Sequence, residues 1–104
     1  MNIFSNMLKE ELENSLKIKE RFLSELNEVP VGSLNIKNIK GHPYYYLNIR
    51  EGDKVKSQYL GKLSKAQIKE YKDLENKRKK YRQSIKELNQ QIKYLRRVLN
   101  VRSA

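Results

Sequence analysis

Between Asn2 and Asn27 the apolar residues Phe4, Leu8, Leu12, Leu16, Phe22, Leu23 and Leu26 recur at helical spacing, while Glu10, Glu13, Glu20 and Arg21 fall on the remaining surface. That pattern predicts an amphipathic helix over about residues 1–28. Pro30 biases Val29 towards extended geometry and Gly32 follows, so the helix should stop there.

From Ser33 to Gly61 the period shifts to that of a strand, and Ile, Val and Tyr cluster between turn signals at Gly41-His42-Pro43 and Glu51-Gly52-Asp53. Three antiparallel strands are predicted, over about residues 33–40, 44–50 and 54–60 within a 33–61 sheet segment. If Glu51, Gly52 and Asp53 form a three-residue loop, Arg50 faces Lys54, Ile49 faces Val55, Leu47 faces Ser57 and Tyr45 faces Tyr59. This register gathers Leu47, Ile49, Val55, Tyr45 and Tyr59 on a packing face. It leaves Tyr44, Tyr46, Asn48, Arg50, Lys54, Lys56 and Gln58 on the other, and a slip of one residue would mix the two sets.

Ser64-Lys65-Ala66-Gln67 has the spacing of a capping box, in which the serine and glutamine side chains satisfy amides left unpaired at a helix start. A helix over about residues 64–100 follows, with Tyr71, Arg78, Ile85, Ile92 and Leu99 at heptad a positions and Leu74, Tyr81, Leu88 and Leu95 at d. Such a helix reaches about 55 Å, against about 23 Å for a seven-residue strand. The sheet alone therefore cannot cover its seam, and the cover must come from the N-terminal helix folded back as an antiparallel hairpin or from a second chain in a homodimer. Arg78 at an a position marks an imperfect point in the seam. The expected fold class is α+β, in one domain of 104 residues.

Charge changes this picture by adding a partner class. Lys and Arg number 23 against 12 Asp and Glu, for a net charge of +11. Residues 1–30 carry four cations and six carboxylates, residues 31–63 six and two, and residues 64–104 thirteen and four. An acidic helix can thus lie against a basic one, and the dense positive field attracts phosphate backbones. No apolar stretch approaches the roughly 20 residues of a membrane span and no signal-peptide pattern opens the chain, so no membrane association and a cytoplasmic location are expected. With no cysteine and one histidine, disulfides, thiolate chemistry and Cys-based zinc sites are excluded, and no metal or cofactor is expected.

The candidate nucleic-acid-binding residues are Lys37, Tyr44, Tyr46, Asn48, Arg50, Lys54, Lys56 and Gln58 on the sheet, with Lys77, Lys79, Lys80 and Arg82 on the long helix. Aromatic rings stack on bases, cations neutralise phosphates and amides read base edges. The plain alternative is a solvated sheet face on which tyrosines shield their neighbours, and an ordinary polar helix surface. The candidate coiled-coil interface comprises Tyr71, Leu74, Tyr81, Ile85, Leu88, Ile92, Leu95 and Leu99. His42 reads as a turn residue. Glu10, Glu11 and Glu13 read as solvated, because Glu10 and Glu13 point to the polar face of an amphipathic helix. Tyr59 reads as core packing rather than as a recombinase nucleophile.

The runs Val31-Gly32-Ser33-Leu34, Ile39-Lys40-Gly41-His42-Pro43-Tyr44-Tyr45-Tyr46-Leu47, Arg50-Glu51-Gly52-Asp53-Lys54-Val55 and Tyr59-Leu60-Gly61-Lys62-Leu63-Ser64 resemble a family of short, uncharacterised bacterial and archaeal proteins. The resemblance implies the fold and no activity. A looser likeness to N-terminal hairpins of transposases and to three-stranded DNA-binding arm domains of integrases implies DNA work in a phage or mobile element, by the binding part alone.

Together these readings predict a small nucleic-acid binder, DNA before RNA, that is not an enzyme. The alternative is a protein-interaction adaptor or inhibitor acting through the coiled coil, and a small RNA-cleaving toxin is the third reading.

Overall fold

The computed structural model describes residues 2–103, with side chains as far as Asn100. The elements run α1 (Ile3–Glu28), β1 (Ser33–Ile39), β2 (His42–Glu51), β3 (Lys54–Gly61) and α2 (Lys65–Ser103). This is the α+β order expected from the pattern: a helix, an antiparallel sheet of order β1-β2-β3, and a long helix of 39 residues. The residues group into two compact units, one of residues 29–79 and one of residues 1–28 with 80–104.

The second of these units is an intrachain helical hairpin. The Tyr81 hydroxyl donates to the Glu25 carboxylate at 2.8 Å, and the Phe22 ring meets Tyr81 edge-on with centroids 5.9 Å apart. Further along, the Gln91 amide donates to Ser15 Oγ at 2.7 Å and to Glu11 Oε1 at 3.2 Å. Partners on α2 rise from 81 to 91 as positions on α1 fall from 25 to 11, so the helices are antiparallel. Ile92 and Leu95 are each 4% exposed, and Ile85, Leu88 and Leu99 are half-buried, as a heptad seam requires. Over residues 80–100, then, the cover comes from the same chain.

The α1 side of that seam corrects the expected face. Leu8, Leu12, Ser15, Lys19, Phe22 and Leu26, at alternating spacings of four and three, are among the less exposed positions, whereas Phe4, Leu16 and Leu23 are exposed. Ser15 is the most buried side chain described, 1% exposed. A small residue lets two helices approach closely, and its hydroxyl accepts from Gln91, so burying it leaves no polar atom unsatisfied.

In the unit of residues 29–79, β1 and β2 are joined by Lys40 and Gly41, both at positive φ (52° and 81°), the signature of a two-residue type I′ turn. Ile39 and His42 flank it as partners, so His42 opens β2 and is not the turn residue expected. Pro43 is tolerated near the end of the central strand because β3 reaches only as far as Tyr45, paired with Gly61, and asks no amide of Pro43.

The second hairpin differs from expectation by one residue. Glu51 pairs with Lys54, leaving a two-residue turn of Gly52 and Asp53, with φ of 60° at Gly52 and no positive φ at Asp53. Glycine at the first central position of a type II′ turn accounts for the choice, since that turn matches the right-handed strand twist and needs a positive φ there. Every partner on β3 shifts accordingly: Arg50 faces Val55, Ile49 faces Lys56, Asn48 faces Ser57, Leu47 faces Gln58 and Tyr46 faces Tyr59. A register shift at Tyr45/Tyr46 leaves Leu60 as an extra residue on β3 before Gly61.

α2 is tied to the start of β1 by two bonds. The Leu34 amide donates to the Glu75 carboxylate, and the Arg78 guanidinium donates to the Gly32 carbonyl at 3.1 Å. Arg78, awkward as a heptad a residue, therefore serves the chain before an edge strand, where backbone groups would otherwise lack partners. A Cβ at Gly32 would lie 2.7 Å from Leu47 Cδ1, so a side chain there would force Leu47 to move, and the φ of 131° itself disfavours any residue but glycine. The capping box forms as predicted: the Ser64 amide donates to Gln67 Oε1 at 2.9 Å and the Gln67 amide to Ser64 Oγ at 3.2 Å.

Candidate nucleic-acid interface

Alternation along the strands and the observed register sort the side chains into two faces. One carries Leu34, Ile36, Tyr45, Leu47 and Ile49, with Tyr45 only 8% exposed. Lys54, Lys56 and Gln58 lie on this face too, contrary to expectation, and Lys56 pairs with Glu51 at 3.0 Å.

The other is a tyrosine face. Tyr44 and Tyr46 on β2 meet Tyr59 on β3, with ring centroids 6.4 Å and 5.2 Å apart. The Lys37 ammonium sits over the Tyr46 ring, 4.8 Å from its centroid. Such a contact leaves the charge accessible while holding the lysine stem in place. Asn48 and Ser57 face each other and are joined by a hydroxyl-to-amide hydrogen bond, and Arg50 Nε donates to the Gly52 carbonyl at 3.3 Å. Tyr59 is 57% exposed and Val55 is 62% exposed.

Of the sheet residues expected at a binding face, the structure brings together Lys37, Tyr44, Tyr46, Asn48 and Arg50. It removes Lys54, Lys56 and Gln58, and it adds Tyr59, which sequence reasoning assigned to the core. The signal that could have found Tyr59 was Gly52-Asp53 read as a two-residue turn. On α2, Lys77, Lys79, Lys80 and Arg82 are all exposed. At 3.6 residues per turn they point around most of the helix and form no single surface.

Among the described residues no group of His, Cys, Asp or Glu could hold a metal ion, and no helix is long and apolar enough to cross a membrane. The hollows along α2, such as the one lined by Ala66, Lys69, Glu70, Asp73, Leu74 and Lys77, are open grooves on one helix surface.

These features define an α+β protein with one open aromatic sheet face. A family model described as a domain of unknown function, DUF6788, matches residues 8–70, from the first seam leucine of α1 through the whole sheet to the opening turns of α2, and the chain belongs to that family. No curated protein and no solved structure matches the chain.

Proposed function

We propose that this is a nucleic-acid-binding protein, with DNA the expected ligand, and that the tyrosine face of the sheet is its recognition surface. The observation that carries the reading is the clustering of Tyr44, Tyr46 and Tyr59 with Lys37 on one face, with Tyr59 more than half exposed. Every base has a π-face, so tyrosines on an open sheet offer sequence-tolerant stacking worth about 1–3 kcal/mol per base. Lys37 and Arg50 supply charge beside the rings, and Asn48 and Ser57 supply donors and acceptors. The net charge of +11 adds a field that draws polyanions. A passive face would shield its backbone equally well with its rings more fully covered. The likeness of these hairpins to integrase arm domains and transposase hairpins motivates a phage or mobile-element setting.

Anisotropy titrations with fluorescent DNA and RNA oligomers over a range of salt test the reading. Affinity should fall steeply with salt, and Tyr59→Ala should weaken binding by roughly 5- to 100-fold. Absence of salt-dependent binding to any DNA or RNA would overturn it.

The adaptor reading rested on a heptad seam in need of cover. Since α1 occupies that seam over residues 80–100, a partner helix would have to displace α1 there, and the sheet face is the better-supported surface.

A further inference from the structure

α2 carries a second ordered surface within the helical hairpin. Beside the apolar a and d positions, the b and e positions read Arg82, Lys86, Asn89, Lys93, Arg96 and Asn100, alternating in steps of four and three. All six are exposed. Residues at these spacings are neighbours about 5–6 Å apart on a helix surface, so they form a continuous stripe about 27 Å long at 1.5 Å per residue. It contains no carboxylate and no apolar residue. The opposite flank, Ser84, Glu87, Gln91, Tyr94 and Val98, contains no cation.

An ordinary solvated helix face mixes signs and gains from pairs four residues apart. Here none of the four cations of the stripe forms an ion pair with a described residue. Complementing the helix dipole accounts only for cations in the last turn, and Arg82, Lys86 and Lys93 lie well before the end of the helix at Ser103. Protein interfaces call for an apolar centre, and a helix seated in a membrane surface calls for an apolar face beside its cations, and the stripe has neither. A phosphodiester backbone calls for regularly spaced positive charge and amide donors alone, and Arg, Lys and Asn supply these.

We infer that the stripe Arg82, Lys86, Asn89, Lys93, Arg96 and Asn100 binds a nucleic-acid phosphate backbone, as a contact separate from the tyrosine face. The inference takes its ligand class from the proposed function and does not depend on which sheet residues stack. It also replaces the Lys77–Arg82 cluster, whose side chains diverge, with residues that share one direction.

The test compares full-length wild type, Arg82→Gln/Lys86→Gln/Lys93→Gln/Arg96→Gln, and a control of equal charge, Lys65→Gln/Lys69→Gln/Lys72→Gln/Arg97→Gln. Each is titrated with a duplex, with a single strand and with anionic phospholipid vesicles at several salt concentrations, after circular dichroism shows unchanged helicity. The stripe variant should lose about 3 to 4 units of the slope of log K against log salt on a duplex, while the control loses about one or less. Equal losses in the two variants, or a stripe variant that matches wild type, would overturn the stripe and leave the sheet reading standing. No binding by wild type would overturn both. Loss confined to anionic vesicles, with nucleic-acid binding unchanged, would also overturn the stripe.

Discussion

Tyr59 lies directly across the β2–β3 ladder from Tyr46, with ring centroids 5.2 Å apart, and this register puts Lys54 and Lys56 on the face away from the tyrosines, while the β1–β2 register keeps Lys37 beside them. Lys37 remains with the tyrosines, whereas Lys56 goes to the other side and pairs with Glu51. Charge-removing substitutions at these two lysines should therefore act unequally. Lys37→Gln should weaken oligonucleotide binding several-fold beyond Lys56→Gln, in matched anisotropy titrations at one salt concentration. Equal effects would mean that net charge alone governs binding.

The register depends on a turn that only glycine makes without strain. Gly52 has a φ of 60° and nothing within 4 Å of where a Cβ would sit, so Gly52→Ala tests backbone strain without a clash. It should cost about 1–2 kcal/mol in chemical denaturation. Gly32→Ala, with both a φ of 131° and the Leu47 side chain in the way, should cost more.

Ser15 closes the helical hairpin where a leucine would be the usual choice for a seam. Ser15→Leu should overpack the approach of α2 and destabilise the fold by about 1–3 kcal/mol. Ser15→Ala should cost less than about 1.5 kcal/mol, because exposed Gln91 retains Glu11 and solvent as partners. Thermal and urea unfolding of the two variants measure the difference.

A pH dependence follows from Tyr81. Its hydrogen bond to Glu25, then burial and the Glu25 charge, raise the phenol pKa above the ordinary 10.0, against a lowering influence from Arg21. A raised folded value means that this stabilisation is complete below the unfolded pKa of about 10 and is lost as pH rises through the folded one. The wild-type thermal midpoint should accordingly fall more steeply above about pH 10 than that of Tyr81→Phe. Parallel curves for the two proteins would show that the bond does not matter to stability.

Much of this architecture was legible in the chain because its signals are local or repetitive. Ser64 and Gln67 form the predicted cap, and the a and d residues of α2 from Tyr81 onward line the seam. What misled was choice by hydrophobicity alone. On α1, Leu16 and Leu23 looked like seam residues beside Ser15 and Lys19, yet the spacing of Leu8, Leu12, Phe22 and Leu26 selects the polar pair. On the sheet, apolar sorting favoured an odd loop that would have buried Val55 and Tyr59. The turn preference of Gly52 prevailed, both stayed exposed, and the candidate site gained a tyrosine while losing two lysines and a glutamine.

The most direct test of the tyrosine face is a map of amide and tyrosine-ring chemical shifts on the full-length protein as a DNA oligomer is added. Lys37, Tyr44, Tyr46, Ser57 and Tyr59 should shift together and saturate with the binding curve, while Lys54, Lys56 and Gln58 move little. Shifts centred on Lys54, Lys56 and Gln58, with the tyrosine rings unmoved, would contradict the account.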